Sequence, residues 1–372
     1  GVVSVAAAAN VTLNDVNSIT LGNVNASANL VVVAGGGITG NGALIIGGST
    51  SLSAGASSDV ALTGANDFSG AASTVRARHV TPNDVNGLNL GASSIGGSLS
   101  VTAGGNLVDS GVLLVAGSTS LTVGSNDITL DNANDFGGAL SVASARDLRI
   151  NDINALDLGA VTLSRNLNVS TQGALTDSGA LRITGTSSLT VGAGNDITLD
   201  NANDFVGAVG IVSGRNVRLN DINALDLGAG VISGALTVTT QGALTDSGAL
   251  RISGGTSLSV GAGNDITLDL ANDFGGSLSI ASVRHAVLND INGIDFGATT
   301  VSGNLGVNAA GALTDSGSIT VAGATSLLAG TTNDITLDSA NDFAGALGVV
   351  SARDVRINDI NALGFGNVTA SG

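Results

Sequence analysis

The chain has 372 residues, of which 56 are Gly and one is Pro; it has no Cys, Met, Trp or Tyr, and its 29 acidic residues (all Asp) against 12 Arg give a formal net charge of −17. That charge excludes nucleic acid as a partner, because neutralising phosphates needs a basic surface. A mean hydropathy of +0.42 with 11% charged residues excludes disorder, and no window reaches the roughly 18 to 20 apolar residues of a membrane-spanning helix.

In chain order, the opening Val2, Val3, Val5 and Ala6 to Ala9 carry no basic n-region, so the start does not read as a signal peptide. The chain reads instead as a mature product or an excised segment. A long repeat then takes over. An Asn-Asp-Val/Ile frame begins at Asn14, Asn83, Asn151, Asn220, Asn289 and Asn358, and a second frame ends at Phe68, Phe136, Phe205, Phe274 and Phe343. An Asp-Ser-Gly element adds Asp109, Asp177, Asp246 and Asp315. All three series share one interval of roughly 69 residues, the mark of a repeat architecture. The stretch Thr176 to Leu244 is identical to Thr245 to Leu313 at nearly two positions in three.

Within one unit the apolar residues alternate with period two: Leu189/Val191, Ile197/Leu199, Val217/Leu219, Leu225/Leu227, Leu236/Val238 and Leu250/Ile252 each bracket a small polar residue or Arg. This predicts short half-buried strands. The Gly-, Asn- and Asp-rich stretches between them, such as GAGND from Gly192 and TDSG from Thr176, predict bends. The lines beginning at Ser188, Gly210 and Ala235 share one plan and divide the unit into three coils averaging about 23 residues. A propeller lacks its aromatic signatures, an outer-membrane barrel lacks its Trp and Tyr girdles, and a sandwich does not repeat at this interval. The expectation is an all-β parallel β-helix, with residues 1–372 forming one continuous solenoid of five to six tandem copies.

That picture assigns each residue class. The Phe series belongs to the core. Asn203, Asn220 and their copies belong to bends, with side chains bonded to neighbouring coils. Arg78, Arg146, Arg215, Arg284 and Arg353 form a surface column recurring every third coil, about 14 Å apart. A second Arg series, Arg149, Arg218 and Arg356, is broken by Val287. Asp200, Asp221 and Asp246 fall near one edge of successive coils and are the candidate calcium ligands, since carboxylates roughly 5 Å apart repel unless solvated or bridged. The calcium-binding nonapeptide of β-rolls is absent, so no cofactor is expected unless calcium is held there. His79 projects at a uniform repeat step onto position 286, which places the two histidines, His79 and His285, in different columns. No residue set stands out once against the repeats as a catalytic site would, so the chain is not expected to be an enzyme.

The runs NDITLDNANDFGGALSV, GALTDSGALRITG and LNDINALDLG resemble the repeat regions of filamentous-haemagglutinin-like exoproteins, bacterial adhesins exported by two-partner secretion. The resemblance covers essentially the whole chain. It implies a right-handed parallel β-helix located outside the cell or on the bacterial surface, serving as a shaft in adhesion, aggregation, filament formation or biofilm. The alternatives are a multivalent array presenting its Asp and Arg columns to surface glycans or cations, and a β-helical polysaccharide-degrading enzyme. Open strand edges at the coil ends add an expectation of end-to-end self-association.

Overall fold

The computed structural model describes residues 1–372. The chain is an all-β parallel β-solenoid without a helix. It divides into two compact units, Gly1–Gly185 and Thr186–Gly372.

In the first unit, a column of register partners runs Ile19, Ile38, Val60, Val80, Leu99, Thr119, Leu140, Leu158 and Asp177, every pairing parallel. Each step advances the chain by about 20 residues, which is the length of one coil. In the second unit, Ile197, Val217, Leu236, Thr256, Leu278, Phe296 and Asp315 follow one another at the same pitch. Each coil is thus shorter than the average the sequence predicts. One repeat holds three complete coils, as expected, and about half of a further one.

The half coil has a consequence for packing. Most coils have one strand on one side and two shorter strands, separated by a bend, on the other. In the first unit, Leu99–Ala103 is followed by the pair Leu107–Asp109 and Leu113–Val115. One repeat later the sides have exchanged roles: Leu156–Leu163 bends over Leu140–Ala145, and Leu167–Thr171 stacks as a single strand on Leu148–Asp152. Accordingly Val11 stacks with Leu30 and Thr50 on one side, its copy Val80 with Val60 and Leu99 on the other, and the next copy Leu148 again on the first side, in the stack that contains Leu88, Leu107, Ile128 and Leu167. The second unit repeats this alternation with Val217, Ala286 and Val355.

The Arg78, Arg146, Arg215, Arg284 and Arg353 series therefore does not form the single column expected. Arg78 lies at a corner leading into Val80–Asp84 and Arg146 at a corner leading into Leu148–Asp152, on opposite sides of the first unit. A whole number of coils per repeat would have stacked them, and the half coil turns each copy away from the last.

The core follows from the alternation. Inward Leu, Ile and Val are almost fully buried along the coils, and each apolar row is sealed by the next: Phe296 is fully buried, whereas its copy Phe365 in the final strand is 60% exposed. Phe68, Phe136, Phe205, Phe274 and Phe343 are all buried, as expected for core residues. At the tight bends Gly124, Gly192, Gly261 and Gly330 adopt φ between 66° and 81°, where a side chain is strained.

Candidate functional site

The most chemically concentrated place in the repeat is the junction where the two sides exchange roles. At the second copy, Ile128–Phe136 bends between Leu130 and Asn134, while Leu148–Asp152 crosses above it as one strand. The register slips there, so backbone groups of the bent strand lose their ladder partners. Side chains replace them. Asp152 Oδ2 accepts the Phe136 N–H at 2.8 Å and its Oδ1 accepts the Asn154 N–H at 2.6 Å. Asn134 Nδ2 donates to Leu130 O at 3.2 Å, and its Oδ1 accepts the Leu113 N–H at 2.9 Å. Asn151 Nδ2 donates to Asn132 O at 2.9 Å, on the coil below.

The arrangement recurs. Phe68, Phe205 and Phe274 donate their N–H groups to Asp84, Asp221 and Asp290 at 2.7 to 2.8 Å. The carboxylates of Asp84, Asp152, Asp221 and Asp290 are buried without a cationic partner, and burial pushes each above the usual carboxylate range; the two amide N–H bonds oppose that shift without cancelling it. Asn66, Asn134, Asn203, Asn272 and Asn341 are completely buried beside them. The expected Asn ladder is present too: Asn83, Asn151, Asn220, Asn289 and Asn358 each donate to a carbonyl on the coil below. The sequence marked both Asn series and the Phe series. It did not mark the inward-facing Asp of each Asn-Asp-Val/Ile frame as the plug of a backbone gap. The signal was there in the fixed spacing of that Asp from the Phe, the same in every copy.

On the surface, every Arg of the first series clamps an Asp about one coil back. Arg78 donates from Nε and Nη2 to Asp59 at 2.9 Å each, and Arg215 reaches Asp196 at 2.8 and 2.7 Å. Arg146 with Asp127, Arg284 with Asp265 and Arg353 with Asp334 repeat the pair. The Arg215 guanidinium lowers the Asp196 carboxyl to about 2, and the same partner chemistry holds Asp59, Asp127 and Asp265 below the ordinary range. Arg149 and Arg218 of the second series pair with Asp131 and Asp200 at 3.1 Å.

The three candidate calcium ligands do not converge. Asp200 faces outward to Arg218, and Asp221 faces inward to the Phe205 and Asn223 amides. Asp246 lies on the other side of the coil, in the stack of Leu225 and Leu244, where it accepts from the Asp269 and Leu270 amides and from Asn272 Nδ2. Three coils averaging about 23 residues would align these residues; the shorter coil shifts them apart. No group of three or more His or Asp side chains is arranged to hold a metal ion.

The histidines are also placed differently from the sequence expectation. Both follow the Arg of the clamp, and the step from Arg78 to Arg146 is one residue shorter than the later steps of that series, which brings His79 and His285 onto the same repeat position. Asn10, Asp147, Asn216 and Asp354 occupy it in the other copies.

One further irregularity escaped sequence reading. Ala72, Thr74, Pro82 and Ser93 stand where the following repeat has Leu140, Val142, Ile150 and Val161, and together they line a small internal gap. Because the substitutions are scattered along the sequence, only the stacking shows that they meet.

A family model described as Repeats of unknown function (DUF5649) matches residues 8–75, 77–143, 145–212, 214–281 and 283–350. No curated protein and no solved structure matches the chain.

Proposed function

The chain belongs to the family of repeats of unknown function DUF5649, and from that premise we propose that this repeat β-solenoid is a shaft: a stretch of a secreted bacterial surface adhesin or extracellular fibre that supplies length and stiffness. The observation that carries this reading is the junction. In successive repeats the same Asn, Asp and Phe close the same backbone gap, so duplicating a unit adds rise without requiring any new chemistry. The adhesin context and the extracellular location rest on the resemblance to filamentous-haemagglutinin-like exoproteins. On this reading the chain is not an enzyme: the carboxylates of the junctions and of the Arg clamps hold amides and guanidinium groups in successive copies.

The test is a series of chains carrying one and two extra repeats, measured by small-angle scattering and electron microscopy. Each repeat is expected to add about 17 Å, the rise of three and a half coils at about 4.8 Å each, and to leave adhesion by cells displaying the chain unchanged in kind. Turnover of a polysaccharide by the purified chain overturns the reading.

A multivalent glycan or cation array is the second reading, and the exposed Arg–Asp pairs that recur in successive copies are the groups it would present. Such an array would lose avidity stepwise as units are removed. Self-association is part of the shaft proposal and rests on the same resemblance. Sedimentation is expected to show association that strengthens with concentration.

A further inference from the structure

His79 and His285, the chain's two histidines, do the same structural job by an unusual means. At their repeat position Asn10, Asp147 and Asn216 use an oxygen to accept a main-chain N–H from the next coil. Asp147 Oδ1 accepts from Asn166 at 2.9 Å, and Asn216 Oδ1 accepts from Ala235 at 3.0 Å. His79 Nδ1 accepts the Ser98 N–H at 2.9 Å, and His285 Nδ1 accepts the Asn304 N–H at 2.9 Å. Every donor lies one coil above its acceptor, at the same separation along the chain. An oxygen acceptor survives acidification far better than an imidazole does. A ring nitrogen accepts only when it carries no proton, which fixes the neutral tautomer with hydrogen on Nε2.

We propose that His79 and His285 are acid-sensitive latches between neighbouring coils: neutral, each ties its corner to the coil above; protonated, each turns an N–H against the N–H it formerly bound. The surroundings define how this plays out. On the coil below, Asp59 accepts both Arg78 and the His79 backbone N–H, and Asp265 accepts both Arg284 and the His285 backbone N–H. Each carboxylate is therefore a nearby anion already shared with a guanidinium. The histidine's own corner contributes that Arg. The coil above contributes Gly97-Ser98 at one site and Gly303-Asn304 at the other, none of them titratable. The rings are pressed against those glycines: a Cβ built on Gly97 falls 2.6 Å from His79 Cε1, and one on Gly303 falls 2.5 Å from His285 Cε1.

The two latches differ in one respect. Ser98 Oγ lies 2.7 Å from His79 Nδ1, so a protonated ring there can donate to the hydroxyl. His285 has no such acceptor among its hydrogen-bond partners, and Asn304 Oδ1 is engaged by the Ala324 N–H at 3.0 Å. Acid release is therefore stronger at His285.

The test is hydrogen exchange on the full chain, read at single amides. The protection of Asn304 and Ser98 is compared with that of Asn166 and Ala235, which bond to oxygens at the same repeat position and correct for the intrinsic pH dependence of exchange. Between about pH 7.5 and about pH 5, Asn304 is expected to lose about ten-fold in protection relative to Ala235, the equivalent of one net hydrogen bond, and Ser98 less. His285→Asn, which installs the side chain of the neighbouring repeat, is expected to abolish the loss at Asn304 and leave Ser98 as it was. Nitrogen NMR of the rings at about pH 7.5 is expected to report hydrogen on Nε2. Hydrogen on Nδ1 at that pH, or an unchanged protection ratio at Asn304, overturns the proposal.

Discussion

At the scale of single residues, burial separates polar groups that look alike in the sequence. Asp221 is buried and accepts two backbone N–H groups, whereas Asp196 lies on the surface opposite Arg215. Asp221→Ala strands two amide donors and is expected to cost about 2 to 4 kcal/mol in urea denaturation, while Asp196→Ala costs much less because solvent screens the pair. A second repeat position carries the opposite sign. The hydroxyls of Thr50, Thr119, Ser187, Thr256 and Thr325 are buried at one repeat position with no hydrogen-bond partner. Thr256→Val removes that unsatisfied group at nearly constant volume and is expected to raise stability by about 1 kcal/mol, read as a higher urea midpoint with an unchanged slope.

The two kinds of Asp also titrate in opposite senses. Asp196, lowered to about 2, contributes stability that is fully present above its ordinary value of 3.8 and is lost as the pH falls towards 2. Asp152 and Asp221 are raised, so protonation favours the folded state and stability is gained as the pH falls through their folded values. Urea midpoints measured against pH are expected to show Asp196→Asn lacking part of the loss below about pH 4. Asp221→Asn is expected to lack part of the gain above that point; identical profiles for the two variants contradict the assignment.

At the scale of elements, the decisive quantity is the half coil left over in each repeat. Strands one repeat apart lie on opposite sides, and strands two repeats apart lie on the same side: Val11–Asp15 and Leu148–Asp152 share a side, whereas Val80–Asp84 between them does not. Spin labels at the exposed residues Thr12 and Arg149 are therefore expected about 34 Å apart along one side, seven coils at about 4.8 Å. Deleting the intervening unit 77–144, which joins Arg76 to Ala145 in register, is expected to bring them closer along the axis and to place them on opposite sides. If the shortened chain keeps both labels on one side, the half-coil geometry fails. The same geometry explains why Asn, Asp and Phe are grouped as they are. A strand that bends on one coil and runs straight on the next leaves amides unpaired, and the Asn134–Asp152 pair supplies the missing partners.

At the scale of the whole molecule, repetition makes stability a sum of similar coil-on-coil contacts, and any one weak contact marks where opening begins. The small residues Ala72, Thr74, Pro82 and Ser93 mark such a place in the first unit. The family match covers five consecutive copies, which agrees with the repeat visible in the sequence. The net charge of −17 is borne by Asp residues that are distributed through those copies, several of them clamped by Arg and others turned inward.

The sequence by itself determined the repeat length, the strand class, the parallel stacking, the buried Phe series and the Asn ladder. Period-two alternation and a fixed interval are properties of neighbours along the chain, and they read directly as pleat and coil. The tertiary structure decided the rest: the pitch of the coil, the exchange of sides, the inward turn of Asp221, the separation of Asp200, Asp221 and Asp246, and the shared position of His79 and His285. These depend on which residue lies above which. A sequence period fixes that only when it contains a whole number of coils, and this one does not.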